Sequence, residues 1–500
     1  MIHAPAARAV GLSCAGVALV LATLLPPARS FAWTQDRFLV GGFGVGSVTD
    51  TSRLVRLADA GLDVVLNSDQ WANWSARQFV GELATLRAHH AGFALRGIVS
   101  AKADPGHERG DWRTVLPDCG GTARRSRADD LSDNVNPDLR GVRSGIRAAL
   151  RPEAGLVSPA VLGWFLHDEP ALPVALDRAF WADTVVAAAA PGGLPYVTLM
   201  PPYVAEDAAP CVGESYRARF GDRKRDAYPA YLDAWLCRFD SLPGPAPVLS
   251  ADHYPFERAG RERPDFLFAL RELRAAAARH GRGGQAIPLW LVLQLSPLIG
   301  AQGTSPTPTP EQSAYTAWAA LAHGAKAVLW WTLVPLPPYG PGLLDDAGAP
   351  TPRYAVVRAL DARLHRVGNV LFACDPVATF LADSLGQEGV ADECPGTPGA
   401  KPGIVRAFDR DASGRPPRTL LAGHLRTHGG GNDFLLVVNR DAGAEAAGRL
   451  VLDGPHGRID RLDLASGTWV PVASGAAAFD VTPALPAGGA ALYRLSAPAR

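Results

Sequence analysis

Eight times between residues 38 and 373 a short apolar run is followed by a longer amphipathic one, and this alternation constrains the fold more than any other feature of the chain. The apolar runs are FLVGGF (38–43), LDVVLN (62–67), ALRGIVS (94–100), VLGWFLH (161–167), LPYVTLM (194–200), PVLSADHY (247–254), IPLWLVLQ (287–294) and AKAVLWWTL (325–333). Helical patterns follow over 52–60, 76–90, 139–150, 174–190, 228–239, 264–280, 311–323 and 353–367. Eight strand-helix units predict an α/β chain folded as a closed (β/α)8 barrel, a TIM barrel, with enlarged loops, rather than an open doubly wound sheet. Gly41, Gly42, Gly44 and Gly46 miss the spacing of a dinucleotide-binding fingerprint and are expected in a tight first loop.

Past residue 370 the texture changes to short alternating strands with Gly, Asp and Pro turns: FLLVVNRD, GRLVLDG, RIDRLDLASGTWVPV and AALYRLS. These predict a C-terminal antiparallel β-sandwich domain. The expected organisation is a signal peptide over 1–30, a barrel over 31–370 and a sandwich over 371–500. The signal is read from Arg8, an apolar stretch from Val10 to Leu25, and the small-x-small site Ala28-Arg29-Ser30. It implies a secreted or periplasmic protein with no membrane association after cleavage. TSPTPTP (304–310) is too short for a linker between domains and reads as an extended loop over the barrel mouth.

With 49 basic and 49 acidic residues the chain carries no formal net charge, so nothing in it attracts nucleic acid or an anionic membrane. Export permits disulfides among Cys119, Cys211, Cys237, Cys374 and Cys394, and Cys374 with Cys394 is the first choice because the pair brackets a short Asp- and Gly-rich stretch. Their spacing matches no zinc motif, and no metal or other cofactor is expected.

The candidate site lies where the strands end. VLGWFLHDEP stops abruptly at His167, Asp168 and Glu169, and Pro170 blocks further strand pairing. Acidic residues there suit the N-terminus of a following helix, but in a parallel barrel the same loops build the active site. Other strand ends carry a matching set: Asn67, Asp69, Gln70 and Trp71; Lys102 and Asp104; Tyr203; Asp252, His253 and Tyr254; Gln294; Trp331. Indole faces stack on sugar rings while carboxylates and amides bind hydroxyls, so the mixture favours a carbohydrate substrate. Trp164 and Trp290, inside strands, are read as core.

GGFGVGSVTDTSRLVRLADAGLDVVL, GWFLHDEP, LSADHYPF and AYTAWAALAHGAKAVLWWTL resemble the first, fourth, sixth and eighth strand units of secreted (β/α)8 glycoside hydrolases. The resemblance extends through GLLDDAGAPTPRYAVVRALDARL to the β-sandwich that follows such barrels. It implies that Glu169 is the general acid/base. It also implies a nucleophilic Glu at the end of the seventh strand, where this chain has Gln294. Three readings stay open: Asp252 supplies the second carboxylate as base or nucleophile, substrate or water takes that role, or the protein binds sugar without cleaving it. Asp168 is read as holding Glu169 protonated through like-charge proximity, or as binding a hydroxyl. Asp69, Trp71, His167, Tyr203, His253, Tyr254, Gln294 and Trp331 are expected to contact substrate. A metal-dependent hydrolase on the same barrel is disfavoured, since no strand end carries a His-x-His pair.

Overall fold

The computed structural model describes residues 32–45, 51–67, 76–100, 150, 157–170, 173–203, 216–257, 260–300, 303–335, 340–381, 404–409 and 419–497. The signal segment, Asp69, Gln70, Trp71, Lys102, Asp104, Cys119, Cys211 and Cys394 lie outside these, as does nearly all of the helix expected over 139–150.

Eight parallel strands form the barrel: β1 (Leu39–Phe43), β2 (Val64–Asn67), β3 (Arg96–Ser100), β4 (Val161–Asp168), β5 (Leu194–Thr198), β6 (Leu249–His253), β7 (Leu289–Gln294) and β8 (Ala325–Trp331). Their order is β5-β4-β3-β2-β1-β8-β7-β6. A bridge between Leu199 and Ala251 joins the two ends, with Leu199 N–H donating to Ser250 O at 2.9 Å and Asp252 N–H to Leu199 O at 3.2 Å. The helices between them are α1 (Ser52–Asp59), α2 (Ala76–His89), α3 (Pro173–Ala189), α4 (Lys224–Leu236), α5 (Phe266–Arg279), α6 (Pro310–Ala322) and α7 (Pro352–Phe372).

Period-two alternation divides each strand between two cores. Leu39, Phe43, Val64, Leu66, Ile98, Phe165, Tyr196, Trp290, Val292 and Leu329 fill the barrel interior. Val40, Val65, Val99, Leu166, Val197, Leu291 and Val328 face the helices. Gly41 and Gly42 belong to β1 rather than to a loop, and a Cβ on Gly41 would stand 2.5 Å from Val64 O, so glycine lets β2 come close.

The C-terminal strands are β9 (Cys374–Leu381), β10 (Val405–Asp409), β11 (Leu420–Thr427), β12 (Asp433–Asn439), β13 (Arg449–Leu462), β14 (Trp469–Asp480) and β15 (Ala490–Ser496). They pair antiparallel in the order β9-β11-β12-β15-β13-β10, with β14 also on β13. GRLVLDG and the start of RIDRLDL, read from sequence as separate strands, are one long strand, its register shifting between Val451 and His456. One sheet face encloses its own core of Phe380, Leu420, Leu435, Leu450, Ile459 and Tyr493. The other face carries Leu421, Leu425, Phe434, Leu436 and Val438 into the barrel's outer core.

Helix α6 lies between the barrel and this sheet, and its sequence explains why. PEQSAYTAWAALA is small or apolar on every side after its first turn, and a helix without a polar face must be buried all round. Residues 313–322 are all buried. Thr309 and Gln312 close a capping box at its N-terminus. At its other end a Cβ on Gly423 would meet Ala322 O at 2.2 Å, so the sheet sits directly on the helix backbone.

Cys374, at the start of β9, carries a free, buried thiol, its Sγ donating to Val370 O at 3.7 Å, and Cys394, the partner expected from sequence, lies outside the described residues. Burial pushes this thiol up to about 11.

Candidate active site at the barrel mouth

Three carboxyl groups converge at the carboxyl ends of β4 and β6. β4 runs one residue beyond its sequence-predicted end, and a register shift between Phe165 and His167 sets Asp168 opposite Thr198 of β5. Thr198 has the interior register of Tyr196, so Asp168 enters the barrel mouth. Glu169 follows in a left-handed conformation, φ 49°, and its N–H donates to Thr198 O at 2.9 Å. A non-glycine residue adopts that conformation only where its surroundings hold it.

Asp252 has the interior register of Ser250 on β6, lies 3% exposed, and feels the charge of Glu169. Its carboxyl is held well above the usual carboxylate range, first by burial, then by the charges of Glu169 and Asp168, with a hydrogen bond from Tyr254 acting in the opposite direction. Its Oδ1 has no hydrogen-bond partner. Tyr254 and Trp331 are half-buried beside the acids, their rings 6.0 Å apart, and Phe43 supports Trp331 edge-on at 5.7 Å. Asp168, Glu169, Asp252, Tyr254 and Trp331 are therefore brought to one place.

Four further sequence candidates, His167, His253, Tyr203 and Gln294, are buried and hold contacts within the protein. His167 shares the register of Val197, on the helix side of the sheet, and its Nδ1 lies 2.9 Å from Asp168 O. His253 is buried between β6 and α5, its Nε2 3.3 Å from Asp265 Oδ1, with the rings of Tyr203 and Phe266 against it. Asp265 in turn accepts from Lys224 Nζ at 2.7 Å, and its side chain accepts no cap bond at the start of α5. Tyr203 is buried, its hydroxyl accepting from Tyr254 N–H at 3.2 Å and its ring covered by the Arg263 guanidinium at 4.0 Å. Gln294 is wholly buried: Oε1 accepts from Phe256 N–H at 3.0 Å and Nε2 donates to Ser305 Oγ at 3.1 Å. It ties the loop after β6 to the loop after β7, the TSPTPTP stretch that leads into α6.

Two residues at the mouth were missed from sequence. Ser100, which ends β3, and Thr198, which ends β5, are buried, and the Ser100 hydroxyl finds no partner. Both have interior register, through Ile98 and Tyr196 on the same strands. The available signal was a hydroxyl at an even step from the interior apolar residues at the end of its strand. Asn67, which ends β2, is likewise buried with both amide atoms unpartnered, but in register with Val65 it faces the helix side. Unpartnered buried polar atoms are uncommon in folded proteins and cost stability. Ser100 Oγ and Asp252 Oδ1 are thus polar atoms of interior register left without a hydrogen-bond partner.

No family model matches the chain, and no curated protein matches it in sequence. Likeness in three dimensions extends over almost its whole length. A structure described as a glycoside hydrolase matches with a TM-score of 0.51 at 10% identity, covering 93% of this chain and 93% of its own. The β-galactosidase from Bacillus circulans sp. alkalophilus matches with a TM-score of 0.51 at 11% identity, over 92% of this chain and 99% of its own. At such identity the likeness is one of fold: an eight-stranded parallel barrel with an antiparallel β domain, the architecture found in these glycoside hydrolases.

Proposed function

We propose that the chain is a secreted glycoside hydrolase that cleaves O-glycosidic bonds of a poly- or oligosaccharide, with Glu169 delivering the proton. One observation carries this reading: Asp252 is buried against Glu169 beside Asp168, under the aromatic rim of Tyr254 and Trp331. Burial and the charges of Glu169 and Asp168 keep a proton on Asp252 well above the usual carboxylate range, and that proton reaches the sugar through Glu169. The half-exposed Glu169 gives it to the glycosidic oxygen as the carbon-oxygen bond breaks. Water then adds to the anomeric carbon and returns a proton to the pair. In this reading Asp252 is the proton partner of Glu169.

A second reading, a carbohydrate-binding barrel without turnover, is favoured by Gln294. The resemblance calls for a carboxylate there, and this amide is fully engaged in bracing two loops. Release of phenol from a panel of aryl glycosides and of reducing ends from polysaccharides, measured beside direct sugar binding, separates the readings. Binding without release on every substrate leaves only the second. Secretion rests on the first thirty residues, and a mature N-terminus at Phe31 in extracellular or periplasmic protein would support it, whereas retention of residues 1–30 in the cell would refute it.

A further inference from the structure

We propose that Tyr231 is a positioning residue for the acid pair, its hydroxyl tying the exit of β4 to the exit of β5 so that Glu169 is held against Asp252. The inference rests on the reading of those two acids as the working pair. Tyr231 stands on α4 with no exposed surface, and its hydroxyl donates to Pro170 O at 2.8 Å and accepts from Met200 N–H at 3.2 Å. Pro170 has no N–H, so its carbonyl is the backbone hydrogen-bonding group through which the residue after Glu169 can be fixed. Glu169 itself is left-handed and donates its N–H to Thr198 O, two residues before Met200.

The exit of β5 is bonded in turn to β6. Asp252 N–H donates to Leu199 O, and Tyr203 OH accepts from Tyr254 N–H. Hydrogen bonds thus link Pro170 to Tyr231, Tyr231 to Met200, and Leu199, its chain neighbour, to Asp252, with the end of β5 as the spacer between the acids. The Tyr231 ring is fixed by Tyr216 at 5.6 Å, Phe220 at 5.6 Å and Tyr228 at 6.3 Å. Burial raises its hydroxyl well above the usual phenol range, which keeps the proton that Pro170 O accepts. The titratable groups around Asp252 are Asp168 at the end of β4 and Glu169 after it, Tyr196 on β5, Tyr203 beyond β5, Tyr228 and Tyr231 on α4, and Tyr254 beyond β6.

The test follows the ionisation of Asp252 by carboxyl 13C NMR of aspartate-labelled protein, its resonance identified by loss in Asp252→Asn. In Tyr231→Phe the Asp252 midpoint is expected to fall by at least about one pH unit as the acids separate. Tyr216→Phe removes a neighbouring buried hydroxyl that has no partner and is expected to leave the midpoint in place. An unmoved midpoint in folded Tyr231→Phe, or an equal fall in Tyr216→Phe, overturns the proposal. Should Tyr231→Phe fail to fold, Tyr231→His, which keeps a ring in the buried site and removes the hydroxyl, is judged by the same criterion. Because the titration needs no turnover, a protein that proves not to hydrolyse glycosides still decides the role of Tyr231.

Discussion

Replacing Asp252 with asparagine keeps the shape of the side chain, keeps a donor toward Glu169 and removes the titration. In the wild type the folded midpoint of Asp252 is raised, chiefly by burial and by Glu169, whereas in the unfolded chain it ionises as an ordinary aspartate. Below that ordinary range both states are protonated and Asp252 contributes its full stability. As pH rises toward the folded midpoint, the unfolded chain gains by ionising while the folded one cannot. The wild type therefore loses about 1.4 kcal/mol for each pH unit relative to Asp252→Asn across that window. Asp183 on α3 and Asp361 on α7 are also buried and raised, but both proteins have them, so their contribution cancels in the difference. Urea unfolding of the two proteins at pH 5, 6 and 7 measures the slope. A stability difference that does not change over that range would mean that Asp252 is charged in the folded state, and the shared-proton mechanism would fall with it. In activity, the alkaline limb of the pH-rate profile should move to lower pH in the variant.

Glu169→Gln should lower turnover of a natural glycoside by about 10² to 10⁴, with less loss on an activated aryl glycoside, because only proton delivery is removed; equal loss on both excludes the acid role. Gln294→Ala should cost about 1 to 3 kcal/mol in denaturant unfolding, since Phe256 N–H is left without its acceptor, and Gln294→Glu should not raise activity. A gain in turnover in Gln294→Glu would show that the seventh strand still holds a nucleophile's place. Ending the chain after Phe372 should yield insoluble protein, because the buried α6 loses Leu421, Leu425, Phe434 and Leu436, side chains worth about 1.5 to 3 kcal/mol each when fully buried. A soluble truncated barrel with an unchanged thermal transition would contradict this.

The barrel was legible because its signal is local. Each strand is an apolar run with a polar end, and the seven expected helices that fall within the described residues begin within four residues of their observed start. α4 begins at Lys224 rather than 228 because the helix accommodates Pro229, which sequence reading took for its first turn. α7 runs to Phe372, past the expected 367, with Val367 and Leu371 still on its buried face. The site was legible as a set of strand ends but not as a geometry. Whether Asp252 meets Glu169 or stands across a sugar from it depends on the closing contact between β5 and β6 and on the register shift in β4, both non-local. His167 and His253 look like site residues in sequence, yet one step of strand register turns them toward the helices. Tyr231 has no sequence signal at all: it sits mid-helix, and its two partners come from other strand exits.

Helix α6 also sets the order in which this chain can become protein. A barrel normally completes its core with its last helix, but here the outward side of α6 has no covering until β11 and β12 exist, at residues 420–439. While the chain emerges N-terminus first, the finished eight strands must wait with an apolar helix uncovered. The interval between residue 322 and residue 439 is thus the stretch of synthesis in which a nascent chain is most exposed to association with its neighbours. Mutations that slow the pairing of β11 with β12 should lower yield even where the folded protein is as stable as before.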